Sequence, residues 1–226
     1  MTTLPAVSTM VTVGDHASAG ALVDARIIGS QQTFRVVLGA MATPGRIGQL
    51  IWEPALLEAI DARDRWLAAL LLALADHEVS VAVELDGRSG AFADEIGRWT
   101  RAGSARPDTA DMVVADAATI DSDLPRRLRR GSLEYPDDSA LLMLLVERLA
   151  DSGPVGLELT LEGPGVDGQI TLSVEGLSAA VLASRARAVS QYPTGIDLLL
   201  VDRAGRIVGL PRTAIVTVGR DAGREG

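Results

Sequence analysis

The stretch Val79-Ser80-Val81-Ala82-Val83-Glu84-Leu85-Asp86-Gly87-Arg88-Ser89-Gly90 decides the fold. Val79, Val81, Val83 and Leu85 recur with the period of two that a strand requires, and Asp86 to Gly90 is turn chemistry. A helix follows with Phe92, Ile96 and Trp99 on one side, then a second apolar run from Met112 to Ala115. Strand, helix and strand in this order predict a βαβ crossover. They predict a parallel pair as well, because parallel neighbours need a connection of about a dozen residues or more.

Upstream, Arg63 to Ala75 is apolar nearly all round, which predicts a fully buried helix. Before it, a helix is predicted from about Gly29 to Ala42, with Phe34, Val37, Leu38 and Met41 as one apolar stripe and Thr43-Pro44-Gly45 as its stop. Met1 to Asp15 shows no periodicity. The domain reading is an N-terminal arm over 1–25, open to partial order, a single domain over 26–219 and a polar tail over 220–226.

Downstream, Ala140 to Val146 is a continuous apolar run, and periodicity leaves a central strand and a buried helix both open. Val155, Leu157, Leu159 and Leu161 alternate, as do Ile170, Leu172 and Val174, and Glu162 to Gly168 between them predicts a hairpin. Ser178 is a helix cap, with the helix reaching about Gln191. Ile196 to Val201 and Ile207 to Leu210 form a second predicted hairpin around Asp202-Arg203-Ala204-Gly205, and Ala214 to Val218 is a last strand. The expected fold class is α/β, in three α/β/α layers: a mixed sheet, parallel early and antiparallel late, with helices on both faces.

Composition narrows the chemistry. The chain has 226 residues and no cysteine, and all 21 of its basic residues are arginine. Without cysteine there is no disulfide, thiolate zinc site or iron–sulfur cluster on this chain. Without lysine there is no Walker A loop and no Schiff base for pyridoxal phosphate. A formal net charge of −9 argues against nucleic acid and anionic membranes as partners. Nothing in Met1 to Asp15 reads as a signal peptide, so a cytoplasmic location is expected.

Few constellations suggest a site. Gly87 to Gly90 lies between a strand and a helix start, where backbone N–H groups can meet an anion, yet ordinary βα loops are also glycine-rich. Arg126, Arg127, Arg129 and Arg130 form the densest positive charge. A solvated helix end is the plain reading, and an anchor for a triphosphate or an acidic partner is the other. His16 and His77 stand in unrelated contexts, and there is no Gly-x-Ser-x-Gly elbow. An independent hydrolase has almost no support.

Four segments in order carry a family resemblance. They are Gln32-Thr33-Phe34-Arg35-Val36-Val37-Leu38-Gly39-Ala40-Met41-Ala42-Thr43-Pro44-Gly45; Leu72-Ala73-Leu74-Ala75-Asp76-His77-Glu78; Leu159-Thr160-Leu161-Glu162-Gly163-Pro164-Gly165-Val166; and Tyr192-Pro193-Thr194-Gly195-Ile196-Asp197-Leu198 followed by Leu210-Pro211-Arg212-Thr213. Gly131-Ser132 and Pro136 add a weaker fifth. Together they resemble the PhnH family of the bacterial carbon–phosphorus lyase system. The resemblance implies a fold similar to the large domain of pyridoxal-phosphate-dependent transferases, without that cofactor. It further implies a homodimer in isolation and a core complex with PhnG-, PhnI- and PhnJ-like chains. In that complex, ATP with magnesium and a phosphonate yield ribose 1-phosphonate 5-triphosphate, and the chemistry belongs mainly to the other subunits. The candidate ligand or interface residues are Arg35, Gly163, Gly165, Asp197, Arg212 and Thr213. Asp197 and Arg212 read either as an ion pair bracing the sheet or as a face for a partner or an anionic ligand. No catalytic residue and no metal ligand is expected. The alternative reading is a stand-alone homodimeric protein that binds a nucleotide or a phosphonate.

Overall fold

The structure, a computed structural model, describes residues 14–52, 59–153 and 156–221. Residues 1–13 of the expected arm, Val155 and residues 222–226 of the expected tail lie outside them. The expected crossover is present. β2 (Ser80–Glu84), α3 (Ser89–Thr100) and β4 (Met112–Asp116) follow in order, and β2 runs parallel to β4 with Val81 opposite Met112. A two-residue edge strand, β3 (Gly103–Ser104), also pairs parallel with β2. The run left open between helix and strand is the central strand β5 (Leu141–Val146), parallel to β4. β9 (Asp197–Asp202) lies parallel on its far side, and β10 (Arg206–Leu210) and β1 (Gly48–Gln49) add antiparallel strands. The described sheet has seven strands in the order β1-β10-β9-β5-β4-β2-β3.

Continuous apolar runs follow from burial on both faces. Leu142 and Leu144 of β5 point to one core while Met143 and Leu145 point to the other; Leu198 and Leu200 of β9 alternate likewise with Leu199 and Val201. One face is covered by α1 (Gly14–Ala42), α2 (Arg65–Leu74) and α3. Leu67 to Leu72 of α2 are all buried, as their composition predicts.

The other face departs from the expected helical layer. Its cover is a second sheet, of four antiparallel strands among the described residues, in the order β11 (Ile215–Asp221), β7 (Leu157–Glu162), β8 (Ile170–Glu175) and β6 (Arg148–Ala150), together with α5 (Ala179–Ala188) and the four-residue α4 (Leu124–Arg127). β6, β7 and β8 all lie within the connection from β5 to β9. β11 joins them from the C-terminal side by pairing with β7. Both hairpins are therefore as predicted, but they belong to different sheets. α5 begins where expected, with the Ser178 hydroxyl accepting from the Val181 N–H, and ends three residues before the predicted Gln191.

α1 departs twice. It starts at Gly14, so residues 14–25 of the expected arm are helical. The expected stripe is also split: Val37 and Met41 pack on the core, while Phe34 and Leu38 point outward. Gly29, Thr33, Val37 and Ala40 face the core, while Phe34 is 45% and Leu38 52% exposed, and Ile27 and Ile28 are exposed beside them. Close approach explains the orientation. A side chain on Gly29 would meet the Trp52 ring at 3.2 Å, and Ala40 lies against Gly209 of β10. Small residues let the helix sit close, so Phe34 and Leu38 point away.

Candidate functional site

Asp197 opens β9 at the amino edge of the parallel strands, and Arg212 follows β10 at the same edge. The Arg212 backbone N–H donates to Asp197 Oδ1 at 2.7 Å, and its guanidinium donates to Oδ1 at 3.3 Å and to Oδ2 at 2.6 Å. Nη1 donates to the Pro136 carbonyl at 2.6 Å and to the Pro193 carbonyl at 3.4 Å, and Nη2 also donates to Ser139 Oγ. A guanidinium has five N–H donors, and all five are directed at acceptors within the chain. Both side chains are largely buried. This geometry favours the bracing reading over a face awaiting an anion.

Arg185 of α5 lies behind the brace, fully buried. It donates to the Pro211 carbonyl at 2.7 Å and the Leu210 carbonyl at 3.1 Å, so it holds the segment that carries Arg212 and Thr213. Burial pushes its pKa down to about 10, opposed by the nearby Asp197 charge. Sequence reasoning missed Arg185, because a lone arginine on a helix reads as solvated.

Gly163 and Gly165 sit on the β7–β8 turn and work through close packing. Gly163 (φ +121°) would place a Cβ 3.0 Å from the Thr213 carbonyl oxygen, and Gly165 (φ +82°) one at 2.3 Å from the Ala42 carbonyl oxygen. The turn is thus wedged between the end of α1 and Thr213. The structure brings Gly163, Thr213, Arg212 and Asp197 into one neighbourhood. Arg35 stands apart, exposed on α1 and without a hydrogen bond or ion pair among the described residues.

Three of the four arginines in the cluster are neutralised locally, and Arg130 is exposed and in no ion pair among the described residues. Arg126 pairs with Asp123 at 2.7 Å, Arg127 with Asp121 at 2.6 Å, and Arg129 with Asp111. The hydrogen bonds from Arg126 hold the Asp123 carboxyl below its ordinary range. In the Gly87 to Gly90 loop two N–H groups are used within the chain: those of Arg88 and Ser89 both donate to the Leu85 carbonyl at 3.1 Å.

At the opposite, carboxyl edge lies a constellation that the sequence did not single out. Arg203 pairs with Glu147, Glu147 with Arg63 at 3.9 Å, Arg63 with Asp116 at 3.0 Å, Asp116 with Arg88 at 3.6 Å, and Arg88 with Asp64 at 2.7 Å. These charges alternate across the ends of β9, β5, β4 and β2. Hydrogen bonding to Asp64 raises the pKa of Arg88. A cavity of about 460 Å³ lined by Ile60, Asp61, Asp64, Arg88 and Phe92 opens beside the chain, and one of about 410 Å³ contains Glu84, Asp86 and Asp121. Open α/β sheets commonly hold ligands at this edge. Here Arg63, Arg88 and Arg203 are each already paired, while Glu84 and Asp86 are in no ion pair among the described residues, so the edge repels a free polyanion. One signal was legible: Asp116 is a charged residue closing a buried apolar strand.

No helix of the described residues is long and apolar enough to cross a membrane. The family described as bacterial phosphonate metabolism protein (PhnH) matches residues 23–217. The chain is 30% identical over 200 residues to the alpha-D-ribose 1-methylphosphonate 5-triphosphate synthase subunit PhnH of Rhizobium meliloti, covering 86% of this chain and 93% of that one. It is 29% identical over 188 residues to a putative C-P lyase subunit protein, HtxG, of Stutzerimonas stutzeri, covering 83% and 86%.

Proposed function

Because the chain belongs to the PhnH family of bacterial phosphonate metabolism proteins, we propose that it is a subunit of a carbon–phosphorus lyase complex, with a positioning or scaffolding role rather than a catalytic one. The reaction served is attack of a phosphonate oxygen on the ribose C1 of ATP, which breaks the glycosidic bond and gives ribose 1-phosphonate 5-triphosphate and adenine, in the cytoplasm. PhnI- and PhnJ-like subunits supply the nucleoside transfer and the radical cleavage, and a PhnG-like chain completes the core. Two relatives that match most of their own length carry subunit names, which supports the reading.

One observation carries the non-catalytic part. The charged residues of the most specific motif, Asp197 and Arg212, have their polar groups turned on each other and on backbone carbonyls. Anion binding needs a free donor aimed at the ligand, and Arg212 keeps none; the three bonds that Asp197 accepts all come from Arg212. The paired and acidic carboxyl edge supports the same conclusion, because a triphosphate held there meets carboxylates first.

In isolation the chain forms a homodimer through the outer face of α1. Residues 25–42 contain two arginines and no carboxylate in a chain of net charge −9. Two copies thus meet where their repulsion is weakest.

Purification of the tagged full chain from its own cells, with every co-purifying chain identified, tests the subunit reading. Recovery of PhnG-, PhnI- and PhnJ-like chains is expected. A protein recovered alone that binds ATP tightly by calorimetry refutes it in favour of a stand-alone nucleotide-binding protein. Arg212→Ala separates brace from ligand site. Removing one partner of a largely buried pair is expected to lower stability by about 2–4 kcal/mol, read as a fall in Tm before any loss of assembly.

A further inference from the structure

Two Tyr-Pro dipeptides lie far apart in sequence, Tyr135-Pro136 and Tyr192-Pro193. Their proline carbonyls both accept from the same nitrogen of Arg212, so one guanidinium clamps two surface loops together. The first loop is closed by its own bonds: the Ser132 N–H donates to the Tyr135 carbonyl, and the Tyr135 N–H donates to Ser132 Oγ, each at 2.9 Å. The second is tied to the first through the Gly195 N–H and the Arg130 carbonyl at 2.9 Å. On these braced loops the chain exposes large side chains that it has no internal use for. Leu133 is 77%, Tyr192 69% and Tyr135 56% exposed. Tyrosine on a rigid backbone is typical of a contact surface, since it buries a large area at little cost in conformational entropy. Around them stand Glu134, Asp137 and Asp138, exposed and in no ion pair among the described residues. Of the neighbouring arginines, Arg129 is held by Asp111, and Arg130 is exposed and in no ion pair among the described residues, so three unpaired carboxylates stand against one guanidinium and the rim stays acidic.

We infer that these two loops form one docking platform, Tyr135, Tyr192 and Leu133 at its centre and Glu134, Asp137 and Asp138 at its rim, for a different protein chain bearing a basic face. Charge selects this occupant. A second copy packed face to face sets three carboxylates against their own images, which like-charge repulsion opposes. A chain with arginine or lysine around an apolar centre completes both parts. The motif around Asp197 and Arg212 then acts through the loops it holds: Arg212 is a positioning residue, and the tyrosines make the contact. The inference rests on the subunit reading above and adds the surface and the charge of the partner.

The test uses the full chain with the purified chains that accompany it from its own cells, affinity being read by surface plasmon resonance at several salt concentrations. Two variants avoid the core: Tyr135→Ala with Tyr192→Ala, and Glu134→Arg with Asp137→Arg and Asp138→Arg. Both are expected to keep the wild-type Tm. The tyrosine pair is expected to weaken binding at least about tenfold, and the charge reversal to slow association and flatten its salt dependence. Wild-type affinity in both variants overturns the platform and leaves the subunit reading standing. A wild-type chain that binds none of them overturns both. A homodimer that dissociates in the tyrosine variant, seen by analytical ultracentrifugation, overturns the basic partner in favour of a second copy.

Discussion

Arg212 and Asp111 do comparable work at opposite ends of the amino edge. Asp111 precedes β4 and accepts from the Ser80 N–H at 2.8 Å, the Ser80 hydroxyl at 2.6 Å and Arg129, so it staples the start of β2 to the arginine-rich segment. Burial raises its pKa, but the bonds from Ser80 and Arg129 outweigh that and hold it below 3.8. A carboxyl depressed in the folded state stabilises fully above its unfolded pKa and loses that contribution as pH falls through the folded value. The Tm advantage of the wild type over Asp111→Asn is therefore expected to be constant near neutrality and to shrink below about pH 4. An advantage unchanged down to pH 2 refutes the staple. Residues of this kind were hardly legible in the sequence. Asp197 and Arg212 stood out through a motif, but the acceptors that saturate Arg212 come from Pro136, Ser139 and Pro193. Gly163 and Gly165 were rightly read as turn glycines. Their reason, the carbonyls of Thr213 and Ala42, lies in other elements.

Elements were more legible than residues, and α1 shows where that stops. Periodicity puts Phe34, Val37, Leu38 and Met41 on one side; it does not say which edge of that stripe faces in. Here backbone proximity at Gly29 and Ala40 decides, so that Val37 and Met41 pack on the core and Phe34 and Leu38 face out. The inward face has a defect: the Thr33 hydroxyl is fully buried with no hydrogen-bond partner among the described residues. Replacing an orphaned buried hydroxyl by a methyl of the same shape removes a desolvation cost, so Thr33→Val is expected to raise stability by about 1 kcal/mol in urea unfolding. On the outer face, Phe34→Glu with Leu38→Glu is expected to change monomer stability little and to convert a dimer to a monomer in ultracentrifugation. A dimer that survives places the homodimer contact elsewhere. Ala140 to Val146 makes the complementary point: burial on both faces erased the alternation, and only the neighbours β4 and β9 identify it as a strand.

The whole molecule is two cores sharing one sheet. Every central strand contributes alternate side chains to both, so the cores cannot melt apart without breaking the strands between them. Leu67→Ala in the helical core and Leu159→Ala under the second sheet are each expected to cost about 2–5 kcal/mol. Each is expected to shift a single transition, with far-ultraviolet circular dichroism and tryptophan fluorescence giving one midpoint. Separate midpoints refute the shared-sheet account. The sequence supplied both hairpins correctly, and it also carried a cue to their division between sheets that the expected single sheet left unused. Residues 157–162 alternate, as a cover strand exposed on one face does, whereas 198–201 are apolar throughout, as a strand buried on both faces is.

That division has a consequence during synthesis. β7 meets its second neighbour, β11, only after about fifty further residues have been made. At ribosomal speeds of roughly 5–20 residues per second, its unpaired edge and the leucines beneath it wait for about three to ten seconds, an interval in which a nascent chain depends on chaperones rather than on its own fold.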